Sequence, residues 1–302
     1  MDMDRNQWEC FCALMRRVGA ASLMLVATRG GGESIDSHNE SVGSEVAPEM
    51  RLWRSLTLSQ GTTRHDYREP DPLGRVSPLN SETGPIPTTE LTLRWRGELA
   101  RALPAITMQA SVSYAQGQTD YSGYLQQGVT LIPYISRTGN TMQALRLRVG
   151  LPLNAFTVQP WAQHIAPYAE QSWQRWQRNL TQYGETFTRK TTTVGVMALW
   201  SLADFGLEQL AQFTLEADLA TGRSSNNRMV APALGFAANL GGTSEQSASL
   251  ALRYAVTPNW LLGLQHVERR SNYGTSASVA GLQYPGASHN GRCWLVSVGT
   301  RF

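Results

Sequence analysis

Three sets of residues in this 302-residue chain have types and spacings that suit chemistry. The first is His65-Asp66 with His266 and Glu268, and Asp218 as a further acid. A general base needs a carboxylate within hydrogen-bond reach, so these are the raw material of a hydrolytic site. The second is a series of arginines, Arg94, Arg96, Arg146, Arg148, Arg253 and Arg301, accompanied by Glu90, Glu98, Glu216 and Asp218. Brought onto one wall, they form either a salt-bridge network or a basic lining that favours small anions. The third is Cys10 and Cys12, two potential metal ligands with no histidine nearby, which is too few for a site. His38, His65, His164, His266 and His289 are dispersed, so no metal centre is expected. No glycine-rich loop follows a strand and opens a helix; Gly235 and Gly241-Gly242 read as loop punctuation. The expectation is a cofactor-free protein.

Composition narrows the classes. Charged residues make up 16% of the chain, against roughly 25% in an ordinary soluble domain. Mean hydropathy is −0.29, and no uninterrupted apolar run approaches the ~18 residues of a spanning helix. A net charge of +3, scattered along the chain, argues against nucleic acid as a partner.

The N-terminal stretch Met15-Arg16-Arg17 followed by Val18–Ala27 has the basic start and short apolar core of an export signal. Asp2, Asp4 and Glu9 do not suit such a signal, which points to a true start near Met15. The domain expectation is therefore a signal peptide over 1–28, a flexible arm over 29–50 and one domain over 51–302. Removal of the signal leaves Cys293 alone, so no internal disulfide is expected.

From Leu52 onward the apolar period is two. Leu91, Leu93 and Trp95 alternate with Thr92, Arg94 and Arg96; Leu145, Leu147 and Val149 alternate with Arg146 and Arg148. Phe213, Leu215, Ala217 and Leu219 alternate with Thr214, Glu216 and Asp218, and Leu250, Leu252 and Tyr254 with Ala251 and Arg253. Period two puts successive side chains on opposite faces of a strand. Short links at Leu99–Pro104, Pro152–Phe156, Ala203–Gly206 and Thr257–Asn259 alternate with long ones at Tyr67–Thr88, Gly117–Thr141, Trp176–Glu185, Thr221–Gln246 and Ser271–Gly291. All tight turns then lie at one end, as in a transmembrane up-and-down barrel. Aromatics fall in two groups. Trp95, Phe156, Trp161, Trp200, Phe205, Tyr254, Trp260 and Phe302 lie near the short turns. Tyr67, Tyr114, Tyr121, Trp173, Trp176, Tyr183, Phe187, Tyr273 and Trp294 lie near the long links. Two interfacial belts are expected of such a barrel. The fold predicted is all-β, an antiparallel barrel of ten strands, with a fifth strand over about Val158–Arg175. Twelve is the alternative if Val230–Leu240 and Ala277–Tyr284 both form strands.

The ending Trp294-Leu295-Val296-Ser297-Val298-Gly299-Thr300-Arg301-Phe302 resembles the last strand of bacterial outer-membrane β-barrels. In that family a terminal aromatic with alternating apolar residues, here Trp294, Val296, Val298 and Phe302, is the signal read by the barrel-assembly machinery. The resemblance implies a monomer in the outer membrane of a Gram-negative bacterium, wetted by lipid, with both termini periplasmic. The arginine set with Glu216 and Asp218 then lines the lumen. A barrel of about eight strands is filled by its own side chains, so ten strands favour a structural or surface-exposed protein over a narrow anion channel; an extracellular ligand stays open. Some family members, such as the omptin proteases, place histidine and aspartate at the outer rim. At ~4.8 Å per strand, His65 and His266 would come within roughly 10 Å. Against this, rim residues are usually solvated, and His266 falls on the apolar register. The expectation is not an enzyme, with a rim hydrolase as the alternative.

Overall fold

The computed structural model describes residues 53–302 apart from 99–104, 128–129, 158, 181–182 and 280–282. The proposed signal, the arm, Cys10, Cys12 and His38 fall outside the described residues, as does the link at Leu99–Pro104.

The described chain is almost all strand: β1 (Trp53–Glu69), β2 (Asn80–Glu98), β3 (Ala105–Gln127), β4 (Thr130–Gly150), β5 (Ile165–Leu180), β6 (Tyr183–Ser201), β7 (Phe213–Ala231), β8 (Phe236–Asn239), β9 (Thr243–Ala255), β10 (Trp260–Tyr273) and β11 (Ala287–Arg301). Each pairs antiparallel with its neighbour, and β1 meets β11 to close the ring. Closure follows from the solvent: hydrocarbon offers nothing to an unpaired backbone donor, so a spanning sheet leaves no edge. Among the described residues no helix is long and apolar enough to cross a membrane.

The barrel has ten staves. β8 and β9 are two parts of one descending stave, because both follow the same register on β7: Arg228 opposes Asn239, and Ser224 opposes Thr243. The break at 240–242 is held by Asn227, whose amide donates to the Gly241 carbonyl and the Thr243 hydroxyl. Leu240 meanwhile bridges to Ser276. The twelve-strand alternative therefore fails: Phe236–Asn239 continues an existing stave, and the described part of Ala277–Tyr284 contains no named strand.

Strand lengths correct the predicted connections. β3 has 23 residues and β4 has 21, whereas ~9–11 suffice to span a bilayer. The expected link Gly117–Thr141 is mostly strand, and Trp176–Glu185 likewise. Two expected short links are longer, 151–164 and 202–212, and carry short 3-10 turns. One of these, Pro160–His164, moves the start of β5 from 158 to Ile165.

The physical reason is an inversion of polarity along the staves. In the lower part, Leu93, Leu147, Val149, Val196, Leu252, Leu262 and Val296 are exposed on the outer wall. The inner wall there carries buried Ser55, Thr57, Ser59, Thr92 and Ser111. Higher up, the outer wall carries exposed Arg64, Arg68, Arg270 and Arg292, while Tyr67, Tyr121, Trp176 and Phe187 are buried inside. The apolar outer band is the lipid-facing segment, and the staves continue above it as a water-exposed collar. The upper aromatic belt is thus corrected: Tyr67, Tyr121, Trp176 and Phe187 form core, not belt. Trp294 does face outward, 4.4 Å from the His266 ring centroid. Below, Phe156, Trp161, Phe205, Trp260 and Phe302 are exposed.

The closing seam is tight. A Cβ on Gly61 would run into the Trp294 carbonyl oxygen. At the lower end, Phe302 donates its backbone N–H to Arg54 O at 3.2 Å, and Arg301 to Asn259 O at 2.8 Å. Two outcomes follow. Folded protein in detergent migrates differently on a denaturing gel before and after boiling, because the closed ladder resists the detergent until heated. Gly61→Val removes the unboiled, shifted band, since its side chain pushes β11 away from β1; an unchanged band would mean that the seam has slack.

Candidate functional site

The lumen is the place where this chain gathers its charged groups. Period two sends Arg94, Arg146, Arg148, Glu216, Asp218 and Arg253 inward from different staves, where they pair. Arg94 grips Glu216 with two hydrogen bonds, 2.5 and 2.8 Å, and Arg253 reaches the same carboxylate at 3.1 Å. Arg146 meets Glu90 at 3.0 Å. Arg148 spans Glu170 at 3.0 Å and Asp218 at 2.7 Å. Tyr168 donates its hydroxyl to Asp218 at 2.8 Å, and the Arg148 guanidinium lies 3.7 Å from the centre of its ring. Tyr168 reaches that far because its two cross-strand partners are Gly150 and Gly195. Its ring occupies the space that a Cβ on Gly195 would need. Arg96 is buried and donates to the Gln163 carbonyl at 3.3 Å. Arg301 takes the same register as Ser55 and Arg94. Two of these pairs reach across the lumen, Arg94 on β2 to Glu216 on β7 and Arg148 on β4 to Asp218 on β7; the others join adjacent or near staves.

Above this layer lies a chamber of about 210 Å³, lined by Arg146, Gln174, Trp176, Arg189, Arg269 and His289 among others. Glu245 stands between two arginines, 2.9 Å from Arg189 and 3.1 Å from Arg269.

The chamber is roofed by an apolar core. Trp176 stacks on Phe187 at 4.8 Å and meets Tyr67 edge-on at 5.1 Å. Met229, Ala231, Phe236, Ala238 and Leu240 join them from β7, from β8 and from the break after it. Tyr284 enters from the connection between β10 and β11, and its hydroxyl lies 2.7 Å from that of Tyr67. Burial and the neighbouring Glu69 push the Tyr284 phenol well above its ordinary range, so it stays neutral and able to donate. Beside the core, Arg178 is buried among three carboxylates: Glu82, Glu185 at 2.6 Å and Glu69 at 3.6 Å. In the loop after β1, hydrogen bonds from Arg75 hold the Asp71 carboxyl well below the usual carboxylate range.

The two histidines of the candidate hydrolytic set do not meet. His65 is fully buried inside the roof, 4.5 Å from the His289 ring centroid, with neither ring nitrogen hydrogen-bonded. His266 is on the outer wall, 3.6 Å from Glu268. Odd and even registers separate them, so no shared rim dyad forms from this pair. Asp66 faces outward with Arg68 at 3.0 Å. Among the described residues, no cluster of three or more His, Cys, Asp and Glu is arranged to hold a metal.

Trp294 and Val296 project outward, Val298 shares their register, and Phe302 is exposed at the end of the last strand. Residues absent from the sequence reading include Tyr168, Arg178, Arg189, Glu245 and Arg269. Their inward register continues the same alternation. For Arg178, Arg189, Glu245 and Arg269 it is hidden because both walls of the collar carry polar groups, so no apolar stripe marks the face; for Tyr168 it is blurred by Pro167 beside it.

No family model matches the chain, and no curated protein matches it. Among solved structures it is similar to the outer membrane protease OmpT from Escherichia coli, at 9% identity and a TM-score of 0.48, covering 83% of this chain and 96% of that one. It is also similar to the translocator domain of the autotransporter NalP from Neisseria meningitidis, at 12% identity and a TM-score of 0.38, covering 96% of this chain and 95% of that one. A third is the COG4313 outer membrane channel from Pseudomonas putida F1, at 13% identity and a TM-score of 0.35, covering 87% of this chain and all of that one (100%). At these identities the likeness extends to barrel form alone.

Proposed function

We propose that this chain is a non-conducting outer-membrane barrel of a Gram-negative bacterium, monomeric, which acts through the collar it displays outside the cell. One observation carries the reading: the lumen is crossed by the Arg94–Glu216 and Arg148–Asp218 ion pairs and roofed by the Trp176–Phe187–Tyr67 core. An ion passing through would have to break buried charge pairs and part an apolar plug, both costly steps.

What is displayed supports the same reading. The β3–β4 hairpin rises beyond its neighbours, because β2 pairs with β3 only as far as Gly123 and β5 with β4 only as far as Thr138. Its free part exposes Leu125, Ile132 and Ile135, the last 82% exposed. Exposed apolar groups on a protruding element suit contact with another surface. Lipid around the outer band and recognition of Trp294, Val296, Val298 and Phe302 by the assembly machinery belong to the same proposal. The arginine-lined chamber favours a second reading, a narrow anion channel, and the two separate in one experiment. In planar bilayers the purified chain is expected to be silent; discrete anion-selective steps would establish the channel and end the closed-barrel reading.

Glu216 gives a test of the plug itself. Glu216→Gln leaves two inward arginines without their shared counter-charge. Breaking a buried pair from one side costs about 3–5 kcal/mol. The variant is expected to unfold at clearly lower urea concentration, followed by loss of the unboiled gel band. An unchanged midpoint would show that the pair is solvated and the lumen wet.

A further inference from the structure

Several side chains that line the chamber below the roof carry buried donors without a partner. Arg189 is only 7% exposed, yet its Nε and Nη1 have no hydrogen-bond partner. Its Nη2 is occupied by the Gln174 side-chain oxygen and by Glu245. Gln174 Nε2 and Arg146 Nε are also buried without partners, as is His289 Nε2, which can donate or accept. All four residues line the chamber. Its acids are engaged: Glu90 by Arg146, Glu170 and Asp218 by Arg148, and Glu245 by Arg189 and Arg269. Glu245 Oε2 is an ion-pair partner of Arg189, though not aligned for a hydrogen bond. Buried donors left unmatched are costly, and native proteins rarely tolerate several in one place.

From this we infer that the chamber is a binding site for a small oxyanion of the carboxylate or phosphate class, held chiefly by Arg189 and Gln174. The occupant must supply acceptors, and an oxyanion carries several on one centre. Arginine forms short, strong hydrogen bonds to such oxygens. Each water molecule brings two hydrogens as well as its lone pairs, whereas an oxyanion brings acceptors alone and so answers unpaired donors more completely. Charge favours the anion too. In the layer below, Arg94 and Arg253 share the single Glu216, and Arg96 donates to a backbone carbonyl rather than to an acid. The size is suitable: about 210 Å³ is many times the ~10–15 Å³ that a cavity needs to hold one water. The inference goes beyond the closed-barrel reading. An anion held between roof and ion pairs does not conduct, and a conducting barrel would still contain the site.

The test uses the full chain in detergent. Crystals grown in sodium selenate are expected to show an anomalous selenium peak within hydrogen-bond distance of Arg189 Nη1 and Gln174 Nε2. The peak is expected to vanish in Arg189→Gln crystals, with that variant's heat-shifted band confirming its fold. In solution, acetate and phosphate are each compared with chloride at equal ionic strength. The inference expects at least one to raise the urea midpoint of the native chain but not of Arg189→Gln, because a ligand that binds only the folded state stabilises it. Acetate alone acting identifies a carboxylate ligand, and phosphate alone a phosphate. Ordered water in place of selenium, a peak that survives Arg189→Gln, or equal midpoints in all three salts would overturn the inference.

Discussion

A peptide group in hydrocarbon has only other peptide groups to bond. That constraint forces β1 onto β11 and leaves no room for a side chain at Gly61, where a Cβ would meet the Trp294 carbonyl. It also dictates what each residue type can do. With strands closed into a ring, every position faces either lipid or lumen, and side chains segregate accordingly. In the lower half Leu93, Leu147, Val149, Leu262 and Val296 take the lipid, and Ser55, Thr57, Thr92 and Glu216 take the inside. The lumen is therefore polar as a consequence of closure. Its charges pair because isolated buried charges are far more costly than paired ones.

Above the band the same ring meets water on its outer wall, and the segregation reverses. Arg64, Arg270 and Arg292 turn outward, while Trp176, Phe187, Tyr67 and Tyr284 fill the inside. The upper half is built like an ordinary water-exposed β protein with a single apolar core. The lower half is its inverse. Between the two cores, one ionic and one aromatic, lies the chamber that Arg189 borders. A single barrel thus contains a lid, a cavity and a floor without any inserted domain.

The lower half was legible in the sequence and the upper half was not. Leu147-Arg148-Val149 or Leu215-Glu216-Ala217 announces both period and face, since lipid and lumen differ sharply in polarity. The pairing of Arg94 with Glu216 was visible only as a shared inward face, because the partners lie 122 residues apart. In the collar, Gly117-Gln118-Thr119-Asp120 reads as a loop, yet it is strand in β3. Its outer wall is polar and its inner wall mixes Thr119 with Tyr121, so no stripe appears. Likewise the ten-stave count rests on the shared register of β8 and β9 on β7, which the local alternation of Val230–Leu240 does not announce.

One wall of each stave touches acyl chains in the lower half and water in the upper half. Single nitroxide labels along β10, in a cysteine-free background reconstituted in lipid bilayers, test it directly through their accessibility to oxygen and to a water-soluble nickel reagent. Labels at Leu262 and Leu264 should be open to oxygen and shielded from nickel, with Gly263 and Gln265 closed to oxygen. At Arg270 the outward label should become open to nickel. Uniform accessibility along the strand, or nickel access at Leu262 and Leu264, would mean that the outer wall of the lower half does not face lipid.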